Sequence, residues 1–326
     1  MAVTQCEIRD LNGCRFIHQL HDSVNLRKAE YLFYCEQAAI IKVTYVTDSS
    51  IHTHSMTGTQ FKWGTRTFLM GIVNVSPDSF AGDGIHSPAI ALEMASHMVK
   101  AGADIIDVGG ESTRPGSIPV SLHEEMTRVI PVVQGLCRHV DVPVSVDTYK
   151  YEIALKALQA GARIINDIWG LKKDPRLADL AGYYGAGMVL MSNQRDVSPN
   201  HDVEFTDIMQ VVIDDLRRAT SEAVTRGVPA DQIIVDPGIG FGKTQPQNLL
   251  LLRRLRELRV LGYPVLIGSS RKSVLGHVLQ LPASERFEAT AATVALAIER
   301  GADMVRVHDV KEMARVCKVT DAIVRG

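Results

Sequence analysis

From Phe68 onward the chain repeats one pattern: a short apolar, β-branched run, a polar or glycine-rich loop, and then an amphipathic helix. The pattern recurs eight times over roughly 260 residues. Strands that alternate with helices form a parallel sheet, and eight such units predict a closed (β/α)8 TIM barrel of the α/β class. A doubly wound open sheet is the alternative, but it requires a phosphate-binding turn after its first strand, and none is present.

The boundaries of these units follow from the apolar runs and from the residues that end helices. Gly102, Gly161, Gly227 and Gly301 each close a helical stretch just before a strand, as helix C-terminal glycines do. The predicted strands are Leu69–Asn74, Asp104–Val108, Val142–Asp147, Arg163–Asn166, Met188–Met191, Ile233–Asp236, Val265–Gly268 and Met304–Arg306. The predicted helices include Pro88–Lys100, Leu122–Arg138, Lys150–Ala160, Thr206–Arg226, Asn248–Leu261, Ala289–Arg300 and Lys311–Val324.

Composition narrows the class of protein. The 326 residues carry a net charge of −2 and are 46% hydrophobic, which is ordinary for an enzyme and argues against a general nucleic-acid binder. The five cysteines are odd in number and form no CxxC pair, as expected in a reducing compartment. No apolar run approaches the ~20 residues of a membrane span, and Glu7, Arg9 and Asp10 stand where a secretory signal would be apolar. We therefore expect a cytoplasmic protein without a membrane or nucleic-acid partner.

The first 62 residues differ from the rest. They hold three of the five cysteines and show poor periodicity, although Ala38–Val46 is a plausible strand and Thr57–Gln60 resembles a linker. We therefore divide the chain into an N-terminal extension of unknown role, 1–62, and a barrel domain, 63–326. His52 and His54 are spaced like the metal pair of amidohydrolase barrels, but the later strand ends offer no matching histidines, which favours a solvated loop.

The most informative single stretch runs from Ile233 to Lys243. It opens as a buried strand, ends that strand with Asp236, and turns through three glycines in five residues. The two oxygens of one carboxylate match two adjacent N–H donors on a flat heterocycle such as a 2-amino-4-oxo pyrimidine. The glycine spacing does not fit the dinucleotide fingerprint. A P-loop is excluded because Pro237 replaces its opening glycine and because Pro246 should delay the next helix.

In a barrel the residues just past each strand converge on one face, where barrel enzymes bind substrate. Seven of the eight predicted strands end in polar side chains, which core packing does not explain. Asp147 has a second interpretation as the N-cap of the next helix. The strand-end positions are Asn74, Asp107 with Glu111, Asp147, Asn166 with Asp167, Met191, Asp236, Ser269–Ser273, and Arg306 with His308.

Strands seven and eight are followed by Ser269–Ser273 and Arg306–His308, which supply hydroxyls and cations where barrels often bind phosphate. The Arg306 guanidinium could either donate a bidentate hydrogen bond to phosphoryl oxygens or stack on a ring. Two long loops, Val75–Gly84 and Gly109–Ile118, have the glycines, prolines and charges of lids that close over a substrate.

These segments together resemble the dihydropteroate synthase family, from about Phe68 to the C-terminus. The seven matching motifs, in chain order, are Gly71–Phe80, Asp107–Gly116, Val146–Thr148, Ile165–Ile168, Asp236–Lys243, Ser269–Ser273 and Arg306–Asp309. The resemblance implies condensation of 6-hydroxymethyl-7,8-dihydropterin pyrophosphate with 4-aminobenzoate, a homodimer, and Mg²⁺ as cofactor.

The resemblance also implies roles for individual residues. Those expected to grip the pterin are Asp147, Asn166, Asp236 and Lys272, with Ile168, Met191 and Phe241 packing around the ring. Arg306 would stack on the ring and, with His308 and Asn74, hold the pyrophosphate, and Asn74 would also meet Mg²⁺. The expected aminobenzoate site is Phe80, Thr113, Arg114, Pro115 and Ser273, and Asp83 would stabilise the reacting centre. The expected catalytic residues are thus Asp83, Asp147, Lys272 and Arg306.

The expected reaction is an SN1-like loss of pyrophosphate, which the ion and the cations assist. It needs no strong general base, because an arylamine is already nucleophilic.

The sequence departs from the family pattern at Ser192, where a histidine is usual, and in the acid of the first loop, Asp83, which is shifted by one residue. The first of these predicts altered pterin affinity rather than lost activity. Two alternatives share the barrel: a methyltetrahydrofolate-binding corrinoid methyltransferase, which has no use for a pyrophosphate cluster, and a non-catalytic pterin-binding protein.

Overall fold

A computed structural model describes the backbone of residues 4–9, 15–20, 29–35, 38–45, 53–56 and 59–60, and the full residues 61–75, 87–112 and 119–326. The chain divides into two compact units, Met1–Ile51 and His52–Gly326. The first unit contains a four-stranded antiparallel sheet. Its strands are β1 (Thr4–Arg9), β2 (Arg15–Leu20), β3 (Ala29–Cys35) and β4 (Ala38–Tyr45).

The second unit is built on eight parallel strands, which confirms the predicted TIM barrel. They are β7 (Phe68–Asn74), β8 (Ile105–Gly109), β9 (Val144–Asp147), β10 (Ile164–Asp167), β11 (Gly187–Met191), β12 (Ile233–Asp236), β13 (Leu266–Ile267) and β14 (Met304–Val307). Each strand pairs with its sequence neighbour, and β14 returns to β7. A parallel bridge between Val235 and Val265 joins β12 to β13 and closes the barrel.

Helices follow the strands and bury one face each against the barrel. They are α1 (Pro88–Lys100), α2 (Leu122–His139), α3 (Tyr151–Gln159), α4 (Arg176–Tyr184), α5 (Ile208–Thr225), α6 (Gln245–Arg253), α7 (Ser273–Leu279), α8 (Phe287–Glu299) and α9 (Val310–Val324).

The predicted bounds of α6 were wrong at both ends. Thr244 forms a capping box with Gln247, and Pro246 lies in the first turn, where its missing N–H costs no hydrogen bond. The helix then ends at Arg253 and continues as a 3-10 segment.

A short hairpin, β5 (Thr53–Met56) and β6 (Thr59–Lys62), precedes the barrel and belongs to the same compact unit. The linker prediction was therefore wrong for residues 59–60, and His54 lies in a strand, not in a loop. Phe61 stacks on Trp63 with 5.0 Å between ring centroids, and both are buried. They belong to one cluster with barrel side chains such as Met70 and Ile105. Burial of two aromatic rings explains why the hairpin folds with the barrel.

Candidate active site

The carboxyl ends of four strands meet at Arg306. Its Nε donates to Asp107 Oδ2 at 2.7 Å, and its Nη2 donates to Asp147 Oδ2 at 2.8 Å. Asn166 Nδ2 donates to the same Asp107 oxygen at 3.0 Å. Asp107 is fully buried, and charge-assisted pairs in such surroundings hold a side chain in one geometry. The plane of the Arg306 guanidinium is therefore fixed by carboxylates from β8 and β9.

The interpretation of Asp147 as a helix N-cap was wrong. The N-cap residue of α3 is Lys150, and no side chain caps this helix.

A second group of predicted residues meets around Gly268. A β-carbon placed on this glycine would lie 3.8 Å from Lys272 Nζ, 3.9 Å from Arg306 Cβ and 4.0 Å from Asp236 Oδ2. Three side chains from different strand ends therefore surround one point. A single small molecule at this point can touch all three.

Burial tunes the ionisation of these groups. It lowers the pKa of Lys272 to about 8, although the Asp236 carboxylate acts in the opposite direction. Burial raises the pKa of Asp236, against the effect of Lys272 and of the hydrogen bond from Gly238. Burial also raises the pKa of Asp147, which Arg306 opposes and which Asp107 and Glu125 reinforce. Desolvated acids and bases at one barrel face are typical of a catalytic or binding site.

The loop after β12 positions Asp236. Gly238 N donates to Asp236 Oδ1 at 2.7 Å, and Gly238 has a φ of 70°, which a side chain disfavours. A β-carbon on Gly238 would also lie only 2.1 Å from the carbonyl oxygen of Ser192. The loop can thus approach β11 only with glycine at this position.

Lys243 holds the same loop from inside. Its fully buried Nζ donates to the carbonyl oxygens of Ser192, Gly238 and Phe241 at 2.8, 3.0 and 3.1 Å. An ammonium has three donors, and all three are used. Lys243 therefore stabilises the loop, and its ammonium has no donor left for a phosphate. This agrees with the exclusion of a P-loop from the sequence.

An apolar wall adjoins these polar groups. Ile168, Met191 and Phe241 form one buried cluster, against which Tyr149 and Trp169 pack. This arrangement brings together the three apolar residues that the sequence predicted for one pocket. A flat ring in contact with this wall would be desolvated on that face.

Arg195 is a residue that sequence reasoning missed. Its Cζ lies 4.4 Å from the centroid of the Phe241 ring, while Lys272 Nζ lies 4.6 Å from the same centroid. Burial lowers the pKa of Arg195 to about 10. Arg195 stands in the loop after β11 without any periodic pattern, so no sequence signal marked it.

Ser192, the position that departs from the family pattern, is fully buried. Its hydroxyl donates to Asp215 Oδ2 at 3.0 Å, and Gln194 Nε2 donates to the same carboxylate oxygen. Lys172 pairs with this oxygen at 3.0 Å. The serine hydroxyl is thus directed toward α5 and stabilises the loop after β11.

The segment after β13 faces His308. Ser270 Oγ and His308 Nδ1 are 2.9 Å apart, and the backbone N–H of His308 donates to Ser270 Oγ. Arg271 instead forms an ion pair with Asp309, with Nε 3.1 Å from Oδ2. The hydroxyl and imidazole are therefore paired at the site, whereas the Arg271 guanidinium is held by Asp309.

The remaining predicted residues divide into two groups. Asn74 is half-buried at the end of β7, opposite Gly109, and Ser273 is exposed at the start of α7. Five further predicted residues lie outside the described part of the chain, namely Phe80, Asp83, Thr113, Arg114 and Pro115.

Within the described ranges, no group of three or more His, Cys, Asp or Glu side chains could hold a metal ion by itself. None of the helices described has the length and apolarity needed to cross a membrane.

A closed parallel barrel with acids, an amide and cations at the carboxyl ends of its strands defines a (β/α)8-barrel enzyme. The family model described as pterin binding enzyme matches residues 70–308. The chain belongs to the pterin binding enzyme family and, within it, to the dihydropteroate synthases, which are transferases. It is 47% identical to a dihydropteroate synthase of Clostridium beijerinckii, over 82% of this chain and 97% of that protein. It is 48% identical to the Bacillus subtilis dihydropteroate synthase, over 79% of this chain and 89% of that protein.

Solved structures give the same result. A Clostridium difficile dihydropteroate synthase crystallised in the presence of pteroic acid aligns with a TM-score of 0.76 and 47% identity, over 82% of this chain and all of that chain. The Xanthomonas albilineans dihydropteroate synthase with 4-aminobenzoic acid has a TM-score of 0.76 and 36% identity, over 83% of this chain and 97% of that chain. The fold and the family are thus shared over the whole barrel.

Proposed function

We propose that this chain condenses 6-hydroxymethyl-7,8-dihydropterin pyrophosphate with 4-aminobenzoate to give 7,8-dihydropteroate and pyrophosphate. The observation that carries the proposal is the meeting of Asp236, Lys272 and Arg306 around Gly268. An acid for ring N–H groups and two cations for oxygens are the partners that such a substrate needs. The family membership supports the same reaction.

In this proposal the pterin lies against the wall of Ile168, Met191 and Phe241. Asp236 accepts hydrogen bonds from the 2-amino-4-oxo edge, and Lys272 donates to a ring acceptor. Asn166 and Asp147 bind other polar atoms of the ring from the neighbouring strands. Arg306, held in one plane by its carboxylate partners, stacks on the pterin and turns its remaining N–H groups toward the pyrophosphate.

His308 and Asn74 complete the proposed pyrophosphate site, with Ser270 orienting the imidazole. Mg²⁺ prefers oxygen ligands and keeps several waters, so one amide oxygen from Asn74 fits an ion that is bound mainly by substrate phosphates. The bound ion would neutralise charge on the leaving group. The proposed binding site for 4-aminobenzoate consists of Phe80, Thr113, Arg114, Pro115 and Ser273. Asp83 is proposed to stabilise the reacting centre.

The proposed chemistry is a substitution at the pterin methylene carbon. The bond from this carbon to the pyrophosphate oxygen breaks first, and its electron pair leaves with the pyrophosphate, which the cations stabilise. The lone pair of the aminobenzoate nitrogen then forms the new C–N bond, and the nitrogen loses a proton. The residues of the chain contribute position, desolvation and charge rather than a strong base.

The experiment that tests this proposal supplies purified protein with both substrates and identifies the product by mass spectrometry. The mass of dihydropteroate should appear only when both substrates are present. A parallel reaction with methyltetrahydrofolate and a corrinoid acceptor tests the methyltransferase alternative. Binding of pterin without any product would instead support the non-catalytic alternative.

We also propose that the chain acts in the cytoplasm as a homodimer. Val278 and Leu279 on α7, Leu281 beyond it, and Leu296 on α8 are exposed large apolar side chains. Exposed large apolar side chains of this kind are typical of homodimer interfaces. Sedimentation of the wild type and of Leu296→Glu tests this, since a dimer should dissociate in the variant.

A further inference from the structure

A network of charges lies beside the site and is not used by the proposed chemistry. Lys150 Nζ donates to Glu111 Oε2 at 2.7 Å, to Glu125 Oε2 at 2.6 Å and to the carbonyl oxygen of Val120 at 2.6 Å. The ammonium therefore has all three of its donors satisfied. Glu111 follows β8, Glu125 lies in the first turns of α2, and Lys150 follows β9. One side chain thus links three segments.

The carboxylates of this network have further partners. Tyr149 donates its hydroxyl to Glu111 Oε1 at 2.9 Å, and Thr148 donates to Glu125 Oε1 at 3.0 Å. Val120 N donates to Glu111 Oε2 at 3.1 Å. Glu125 is 1% exposed, so its charge has little water to stabilise it. Removal of the ammonium would leave two neighbouring carboxylates short of a counter-ion, which is costly in a buried setting.

We propose that Lys150 is a positioning residue for the pterin site, which ties the segments after β8 and β9 to α2 and thereby holds Asp147 against Arg306. The proposal rests on the function proposed above. Thr148, Tyr149 and Lys150 directly follow Asp147, and all three side chains belong to the network. The residues that follow Asp147 are thus held by contacts with Glu111 and with Glu125 of α2.

The network also acts on Asp147 through charge, because Glu125 raises the pKa of the Asp147 carboxyl. The charged groups that face Asp147 are Asp107 from β8, Asp167 from β10, Arg306 from β14, Glu125 from α2 and Lys272 from the segment before α7. Removing the charge of Glu125 alone should therefore lower the pKa of Asp147. A purely structural contact would not produce this change.

The test measures binding of 6-hydroxymethylpterin, which cannot react, by calorimetry as a function of pH. Lys150→Met should weaken binding by about tenfold or more, and Lys150→Arg should restore most of the affinity, since a guanidinium keeps the charge. Lys156→Met on the exposed face of α3 is the matched control and should bind like wild type.

Glu125→Gln keeps the shape of the side chain and supplies a second, independent readout. The pKa of the Asp147 carboxyl, followed by carbon NMR of labelled protein, should fall by roughly half a unit or more in this variant. Lys150→Met affinity within twofold of wild type, or an unchanged pKa of Asp147 in Glu125→Gln, would overturn this inference and leave the proposed function in place. A wild-type protein that binds no pterin would overturn the proposed function itself. If Lys150→Met does not fold, Lys150→Gln in the same calorimetric test decides the question.

Discussion

Arg306 Nε donates a 2.7 Å hydrogen bond to Asp107 Oδ2, although the two residues are 199 positions apart in the chain. Asp107 also accepts from Asn166, so one buried carboxylate orients two residues of the proposed pterin site. An anion in this position does not bind the anionic part of the substrate itself. It keeps the guanidinium in place, and in the proposed function the guanidinium binds that part of the substrate.

Asp107→Asn should therefore loosen Arg306 without removing it. The amide retains the size of the side chain but loses the charge, and a hydrogen bond to a charged group is worth about 1.5–3 kcal/mol. We expect kcat/KM for pterin pyrophosphate to fall by roughly 10- to 100-fold in steady-state assays. Asp179→Asn, which alters an exposed pair with Arg226, is the matched control and should retain wild-type kinetics.

The pocket around Gly268 gives a second prediction. Gly268→Val places methyl groups where Asp236, Lys272 and Arg306 now meet, and this glycine has no left-handed backbone conformation that a side chain would strain. Calorimetry should detect no pterin binding, while the thermal unfolding midpoint stays within a few degrees of wild type. Unchanged pterin affinity would show that the ring binds elsewhere.

The activity should depend on pH through Lys272. Burial lowers the pKa of this ammonium to about 8, so it is charged below that pH and loses its proton as the pH rises through about 8. If the charged form binds substrate, kcat/KM falls along a basic limb near pH 8. Lys272→Arg stays charged to much higher pH and should move that limb upward, whatever its effect on the maximum rate.

Lys243 yields a prediction about stability. Lys243→Met removes one donor from three buried carbonyl oxygens. The oxygens of Gly238 and Phe241 keep backbone donors, whereas that of Ser192 becomes unsatisfied, which costs about 1–3 kcal/mol. We expect denaturant unfolding to show a loss of about 1–3 kcal/mol. Lys318→Met, at an exposed position on α9, should unfold like wild type. A neutral result for Lys243→Met would mean that the other hydrogen bonds of the loop after β12, such as Gly240 N to Asn248 Oδ1, hold it without the ammonium.

The barrel could be predicted because its strands are continuous apolar runs, as in Ile233–Asp236, where prediction and structure coincide. Helices α4 and α7 were not predicted. The first has nine residues and follows Pro175, and the second contains Gly276 and begins inside the serine-rich motif, so neither presents enough turns for a helical period. Short helices of this kind are stabilised by tertiary packing, which a local pattern does not contain.

The site was predictable to the extent that strand ends converge in a barrel. That rule predicts that Asp147, Asn166, Asp236 and Arg306 lie at one face, and the structure has them at the carboxyl ends of β9, β10, β12 and β14. The pairing of Arg306 with two carboxylates could not be predicted, because it depends on side-chain directions across strands β8, β9 and β14. The network around Lys150 was missed for a similar reason, since α2 contributes Glu125 from a helix that periodicity alone describes as amphipathic.

The most direct test is the rate of pyrophosphate release from pterin pyrophosphate and 4-aminobenzoate, for the wild type and for Asp236→Ala. Asp236 lies among the cations that surround Gly268, and without its carboxylate the ring loses its proposed anchor. We predict release that depends on both substrates in the wild type and falls by orders of magnitude in the variant. Near-normal release by Asp236→Ala, or none by the wild type, would contradict the account.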